Sequence, residues 1–410
     1  MHILITAVGQ RTEHWVSLFS ALSERPDVER LTVLASDVSP LCARELIRLA
    51  EENESFRFHL VPHLLSENRS GHMASILFRP GTGHRLSGVR PDVVHVIGEA
   101  AYLSTRQVIN MRRRRWPSAP ITLYAAQNVV QRFPFPFPQL EQTAYRSVAH
   151  ALPITPTALQ VLRTKGYSGP ATVVPLGVDT RLFQRCATPD ADQFTVGFVG
   201  RLEPHKGIKL LLRARQILGC RLLLVGDGSM RGEIEEASKR DPGTVELCPW
   251  TDHARLPAVL SRMDALALPS LEVIQRNLVP WIGIPLREQF GRVLVEAMAC
   301  GVPVVGSDTG DIPHVIGSAG LVFPSGDATA LAEQLASIRD NAVVARSLSK
   351  SGLRRASTEF SWHHIAGSLC QTWQQLVDVS PSCRNVGLSI PGQHEAEAPA
   401  AGSAQNESIR

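Results

Sequence analysis

Leu286-Arg-Glu-Gln-Phe-Gly-Arg-Val-Leu-Val-Glu-Ala-Met-Ala-Cys-Gly301, followed by Val302-Pro-Val-Val-Gly-Ser-Asp308, reads as a loop, a helix and a buried strand in succession. Gly291 frees the backbone to turn into the helix. Val293, Leu294, Ala297 and Met298 recur at helical spacing, Gly301 stands where a helix stop belongs, and 302–305 is a short apolar strand. Glu288 and Glu296 flank the helix start, and eight helical steps would part them by ~12 Å. Between them lie the first N–H groups of the helix and the positive end of its dipole, a seat for a diphosphate. One acid can then accept from sugar hydroxyls and the other from a ribose diol. The bland alternative is a loop acid and a helix acid that happen to stand eight apart.

The rest of the chain supplies the frame. Its 410 residues exceed what one core usually holds, so two domains are expected. With 44% hydrophobic and 20% charged residues, the balance is that of a soluble globular protein. A formal charge of +4 is too small to imply nucleic acid and is compatible with an anionic substrate or a membrane surface. No apolar run approaches a bilayer span, and the start is strand-like without the features of a signal peptide. Seven scattered cysteines form no Cys-x-x-Cys pair, which argues against disulfides and a zinc site and for a reducing cytoplasm.

Short apolar strands are expected at 1–7, 31–35, 56–61, 93–97, 121–125, 151–154 and 171–174, with helices near 13–22, 41–51, 101–114, 139–148 and 157–165. Residues 61–83 resist assignment. After a polar interval at 181–193, a second series of strands follows at 194–199, 221–225, 244–247, 265–268, 302–305 and 320–323. This alternation predicts an α/β protein with two Rossmann-like halves, each a parallel sheet covered on both faces. From 387 onward the chain is rich in Ala, Ser, Glu, Gln and Pro, a composition expected to stay disordered.

The run E-Q-F-G-R-V-L-V-E-A-M-A-C-G-V-P-V-V-G-S-D-T-G resembles the signature of the retaining family-4 glycosyltransferases of the GT-B fold. Gly200-Arg-Leu-Glu-Pro-His-Lys-Gly207 is similar to the same family's G-R-L-x-x-x-K-G. The resemblance is strong over 194–325 and loose before 170. It implies two Rossmann-like domains facing each other across a cleft: an acceptor domain at 1–185 and a donor domain at 190–360. A helix at 361–379 would cross back onto the first domain, and 380–410 would be the disordered tail.

By the same resemblance Gly200, Arg201, Lys206, Glu288, Phe290, Gly291, Arg292, Val293 and Glu296 bind a nucleoside-diphosphate sugar. Arg201 and Lys206 would hold the diphosphate, Glu288 the hexose and Glu296 the ribose. UDP is expected before GDP, and no metal or cofactor is expected. The implied reaction moves a hexose-type sugar to a hydroxyl acceptor, small molecule or glycan, with retention at the anomeric carbon.

Pro91-Asp-Val-Val-His-Val-Ile-Gly-Glu-Ala100 is similar to the family's D-V-V-H-x-x-x-E loop beside the reacting sugar. It points to His95 and Glu99 as acceptor contacts, together with Gly9, Gln127 and Asn128. Set against this, a lone strand-end His is more often a satisfied structural residue. Ser307-Asp-Thr-Gly-Asp-Ile-Pro313 follows the family's S-D-x-G-G-x-P-E, with Asp311 and His314 in place of glycine and glutamate.

Met111-Arg-Arg-Arg-Arg-Trp116 admits a weak membrane-surface contact through Arg112, Arg113, Arg114 and Arg115, against the plainer reading of a solvated helix end. Residues 271–286 look longer than the family's loop and, with Trp281, suggest a lid or an acceptor contact. Two rival readings stand beside the transferase: a nucleotide-sugar epimerase of the same fold, and a non-catalytic nucleotide-sugar-binding protein.

Overall fold

The computed structural model describes residues 1–65, 76–131, 134–187, 193–276 and 283–379. The tail at 380–410 and Trp281 lie outside the described residues.

Two six-stranded parallel sheets organise the chain. The strands of the first are β1 (His2–Val8), β2 (Arg30–Ser36), β3 (Phe56–Leu60), β6 (Val93–Ile97), β7 (Ile121–Ala125) and β8 (His150–Pro153), ordered β3-β2-β1-β6-β7-β8. A hairpin of β4 (His63–Leu65) and β5 (Leu77–Phe78) fills part of the stretch without an expected element. The second sheet contains β9 (Thr195–Val199), β10 (Arg221–Val225), β11 (Val245–Cys248), β12 (Ala265–Leu268), β15 (Val304–Ser307) and β16 (Leu321–Phe323), ordered β11-β10-β9-β12-β15-β16. Each sheet runs outward from its first strand, reverses, and continues on the other side. That switch opens a crevice at the carboxyl ends of the strands. This is the GT-B fold.

The strands form where β-branched and aliphatic residues run together. β6 and β7 are buried along their whole length, as sheets covered on both faces require. Helix starts carry side-chain caps: Asp327 accepts from Thr329 and Ala330 N–H ahead of Ala328–Asp340, and Ser361 from His364 N–H ahead of Trp362–Asp378.

Two expectations need correction. The helix near 13–22 is a 3-10 turn, Gln10–Trp15, running into the helix Val16–Ser23. Residues 171–174 lie beside β8, with Thr172 N–H on Ala151 O and Val174 N–H on Pro153 O, but only the bridge Ala151 to Ala171 forms because Pro153 has no N–H to return. In the 271–286 segment, β13 (Val273–Arg276) and β14 (Gly283–Leu286) pair antiparallel.

The last described helix, Trp362–Asp378, packs on the helix Val16–Ser23 of the first domain. Its Trp373 is fully buried, and the indole N–H donates to Thr122 Oγ1 at 3.1 Å. Where the chain passes between domains, Val178 exchanges backbone bonds with Phe360 and Trp362.

Candidate active site

The carboxyl edge of the second sheet carries the donor-side residues. β9 ends at Gly200, Arg201 is exposed, and the 3-10 turn Pro204–Lys206 brings Lys206 inward. Lys206 Nζ lies 2.6 Å from Glu288 Oε2, and Ser270 Oγ donates to the same oxygen at 2.9 Å. Both ends of this ion pair are mostly shielded from solvent, so each charge needs the other.

Glu296 belongs to a second cluster. The helix Arg292–Ala299 starts at Gly291, whose φ of 75° favours glycine, and no side chain caps it. Glu296 is 5% exposed, and its Oε1 lies 3.1 Å from His253 Nε2 and 3.0 Å from Arg292 Nε. Burial alone would raise the Glu296 carboxyl, but Arg292 and the His253 bond outweigh it and hold it below its ordinary value. Arg292 Nη1 is buried with no hydrogen-bond acceptor among the described residues. Buried guanidinium N–H groups are the natural partners of an anion.

His253 was not legible as a site residue. Two donor-side expectations change. Glu288 precedes the helix, so half of its spacing to Glu296 is loop and the ~12 Å helical separation does not apply. Phe290 is 2% exposed and packs edge-on against Phe360 at 5.9 Å, so its side chain serves the core and leaves the backbone to meet a ligand. Val293 is half-buried in the first helical turn.

On the facing domain Gly9 ends the loop after β1, buried, with its N–H on Ser36 O. Glu99 Oε1 accepts from the Ala126 and Gln127 N–H groups at 2.7 and 3.1 Å. Burial pushes its carboxyl up to about 7, against the pull of the Ala126 N–H, Lys165 and the Gln127 N–H. Gln127 Oε1 accepts from Lys165 Nζ, which also pairs with Glu141.

His95 turns its side chain into the core of the first domain. It is 1% exposed, its Nδ1 lies 2.9 Å from Thr122 Oγ1, and Trp373 packs over it at 5.3 Å. Burial lowers its pKa to about 3, so it is neutral.

Asn128 also differs from expectation. It is 2% exposed and spans the domains, donating through Nδ2 to Glu288 O at 2.7 Å and Asp311 Oδ2 at 3.1 Å. Arg287 Nη2 returns a bond to Asn128 O at 2.7 Å. Gly310 closes over the same carbonyl: a Cβ there would lie 2.1 Å from Glu288 O. The peptide carrying Glu288 is therefore held from both domains.

Residues 193–341 match the family model described as Glycosyl transferases group 1. This segment is similar to the group 1 glycosyltransferases. The matched segment contains both acidic clusters. D-inositol 3-phosphate glycosyltransferase of Mycobacteroides abscessus is 31% identical over 201 residues, covering 46% of this chain and 40% of that protein. Phosphatidyl-myo-inositol mannosyltransferase of Mycobacterium leprae is 35% identical over 189 residues, covering 44% of this chain and 46% of that protein. The chain thus spans less than half the length of these relatives. A crystal structure of Anabaena HepE in complex with UDP superposes with a TM-score of 0.68 at 16% identity, covering 91% of this chain and 99% of that one. The shared fold therefore extends beyond the matched segment to both halves.

Proposed function

We propose that the chain transfers a hexose-type sugar from a nucleoside-diphosphate donor to a hydroxyl acceptor, with retention at the anomeric carbon. The observation carrying this reading is the pairing of each acid with a cation at one sheet edge: Glu288 with Lys206, and Glu296 with Arg292 and His253. Without donor the charges satisfy one another. When a diphosphate takes Lys206, Glu288 is released to accept from hexose hydroxyls. Glu296 accepts from the ribose diol, and the buried N–H groups of Arg292 add to the cationic field.

As the glycosidic bond breaks, charge grows on the departing diphosphate. Arg201 and Lys206 stabilise it there, work that a metal ion does in other transferases, so the reaction is proposed to run without one. The acceptor hydroxyl attacks from the face the diphosphate leaves, and the departing phosphate takes its proton. Gly9, Glu99 and Gln127 border the acceptor side. UDP is proposed before GDP; the UDP bound to Anabaena HepE supports that order. Among the described residues no helix is long and apolar enough to cross a membrane.

Thermal shift with UDP, GDP, ADP and dTDP, chelator present, on the native chain and Glu296→Ala, tests the reading. A shift for one diphosphate that is lost in Glu296→Ala is expected, since a ligand of the native state stabilises it by mass action. No shift with any nucleotide would overturn the donor site. Turnover of donor without acceptor would favour an epimerase, and binding without any turnover a carrier protein.

A further inference from the structure

The arginine run at the end of the helix Leu103–Arg115 divides into two pairs. Arg112 Nε donates to Ala119 O and Arg113 Nη2 to Ser147 Oγ, so these two fasten the helix end. Arg114 and Arg115 instead line a groove of about 520 Å³ on the flank of the first domain, apart from the residues assigned to donor and acceptor. Arg79 lines the opposite wall, on the turn that follows β5, with His84 beyond it.

The walls are fixed. Gln107 clamps Phe78 through both its backbone N–H and its carbonyl, at 2.8 and 3.0 Å. Trp116 Nε1 donates to Val89 O, and Arg115 lies so close to Gly83 that a Cβ there would meet its Nε at 3.1 Å. The volume is that of a small-molecule site.

Its chemistry has one sign. Among the described residues no carboxylate lines the groove, and Arg79, Arg114 and Arg115 join no ion pair there. A helix C-terminus supplies only about half a negative charge. That cannot balance three guanidinium groups gathered around one space. Arginine offers a planar fork matched to phosphate oxygens.

We propose that this groove is a second anion site, separate from the nucleotide-sugar cleft, which takes a ligand carrying two or more phosphate groups. The phosphates bridge Arg79 on one wall to Arg114 and Arg115 on the other. Asn110, between the walls, is placed to bond the body that carries them.

Titration calorimetry of the full chain with tripolyphosphate tests this at low salt. Binding is expected in the native chain and in Lys206→Ala, which weakens the nucleotide cleft. The Arg114→Gln, Arg115→Gln double variant should melt with the native chain, keep its response to UDP, and bind tripolyphosphate roughly tenfold or more weakly. Arg79→Gln should weaken binding as well, an effect that charge at the helix end alone would not produce.

A parallel arm uses flotation with phosphatidylcholine vesicles carrying phosphatidylinositol 4-phosphate. Capture of the chain by these vesicles, lost in the double variant, would identify a lipid headgroup as the source of the phosphates. Binding of tripolyphosphate without capture would identify a soluble ligand. The proposal is overturned if neither probe binds the native chain, or if the double variant binds both as tightly as the native chain does.

Discussion

Glu99 is a carboxyl held inside the first domain with its pKa raised to about 7. An acid whose folded pKa exceeds its unfolded value of about 4.3 contributes stability in its protonated form. That contribution is complete below the unfolded value and is lost as pH rises through about 7. Glu99→Gln removes the ionisation while keeping an oxygen for the Ala126 and Gln127 N–H groups. Denaturant melts of both proteins should therefore converge at pH 4 and diverge by pH 8, the variant ahead by on the order of 3 kcal/mol. Parallel curves would refute the burial argument. On the proposed mechanism, Lys206→Ala leaves Glu288 without its cation and the departing diphosphate with Arg201 alone. Its kcat should fall roughly 100-fold or more at saturating acceptor. His95 shows how far single residues could be read in advance. Its motif pointed to the cleft, but strand register and the arrival of Trp373 decide which way a side chain faces, and neither is written locally.

Among the elements, the loop from Ser307 into the helix Ile312–Ile316 governs the seat of Glu288. Gly310 has φ of 59° and sits on the Glu288 carbonyl. Gly310→Ala should cost about 1–3 kcal/mol in strain and displace Glu288, read as a lower Tm together with a higher donor KM. Asn128→Ala should raise the donor KM as well, because it releases the same peptide from the facing domain; an unchanged KM would show that Asn128 only packs. Elements made of contiguous β-branched or aliphatic residues, such as β6, β7, β10 and β12, were legible to the residue. Those defined by distant pairing were not. The β13–β14 hairpin lies among prolines and glycines that read as loop, and Asn128 meets Asp311 across 183 positions. The two acidic clusters were visible as residues, but their cationic partners were not all visible, since His253 approaches Glu296 from another loop.

For the whole molecule, the two sheets share one strand order that no sequence repeat announces, because backbone pairing fixes it while side chains diverge. The same scale holds the role of the last described helix. Trp373→Ala should cost about 3–5 kcal/mol by opening a cavity beneath β6 and β7, and a urea melt should show the loss in the first domain's transition; a loss confined to the second domain would contradict the packing. There is also a consequence for synthesis. Thr122 and the tryptophan that bonds it are separated by 251 residues. At roughly 5–20 residues per second, a ribosome needs about 10–50 s to make that interval. Throughout it the slot beside His95 and Thr122 faces water, and the second domain emerges whole before the first domain can close. A nascent chain is thus committed to carrying an unfinished, sticky half behind it, where a holdase finds its longest opportunity.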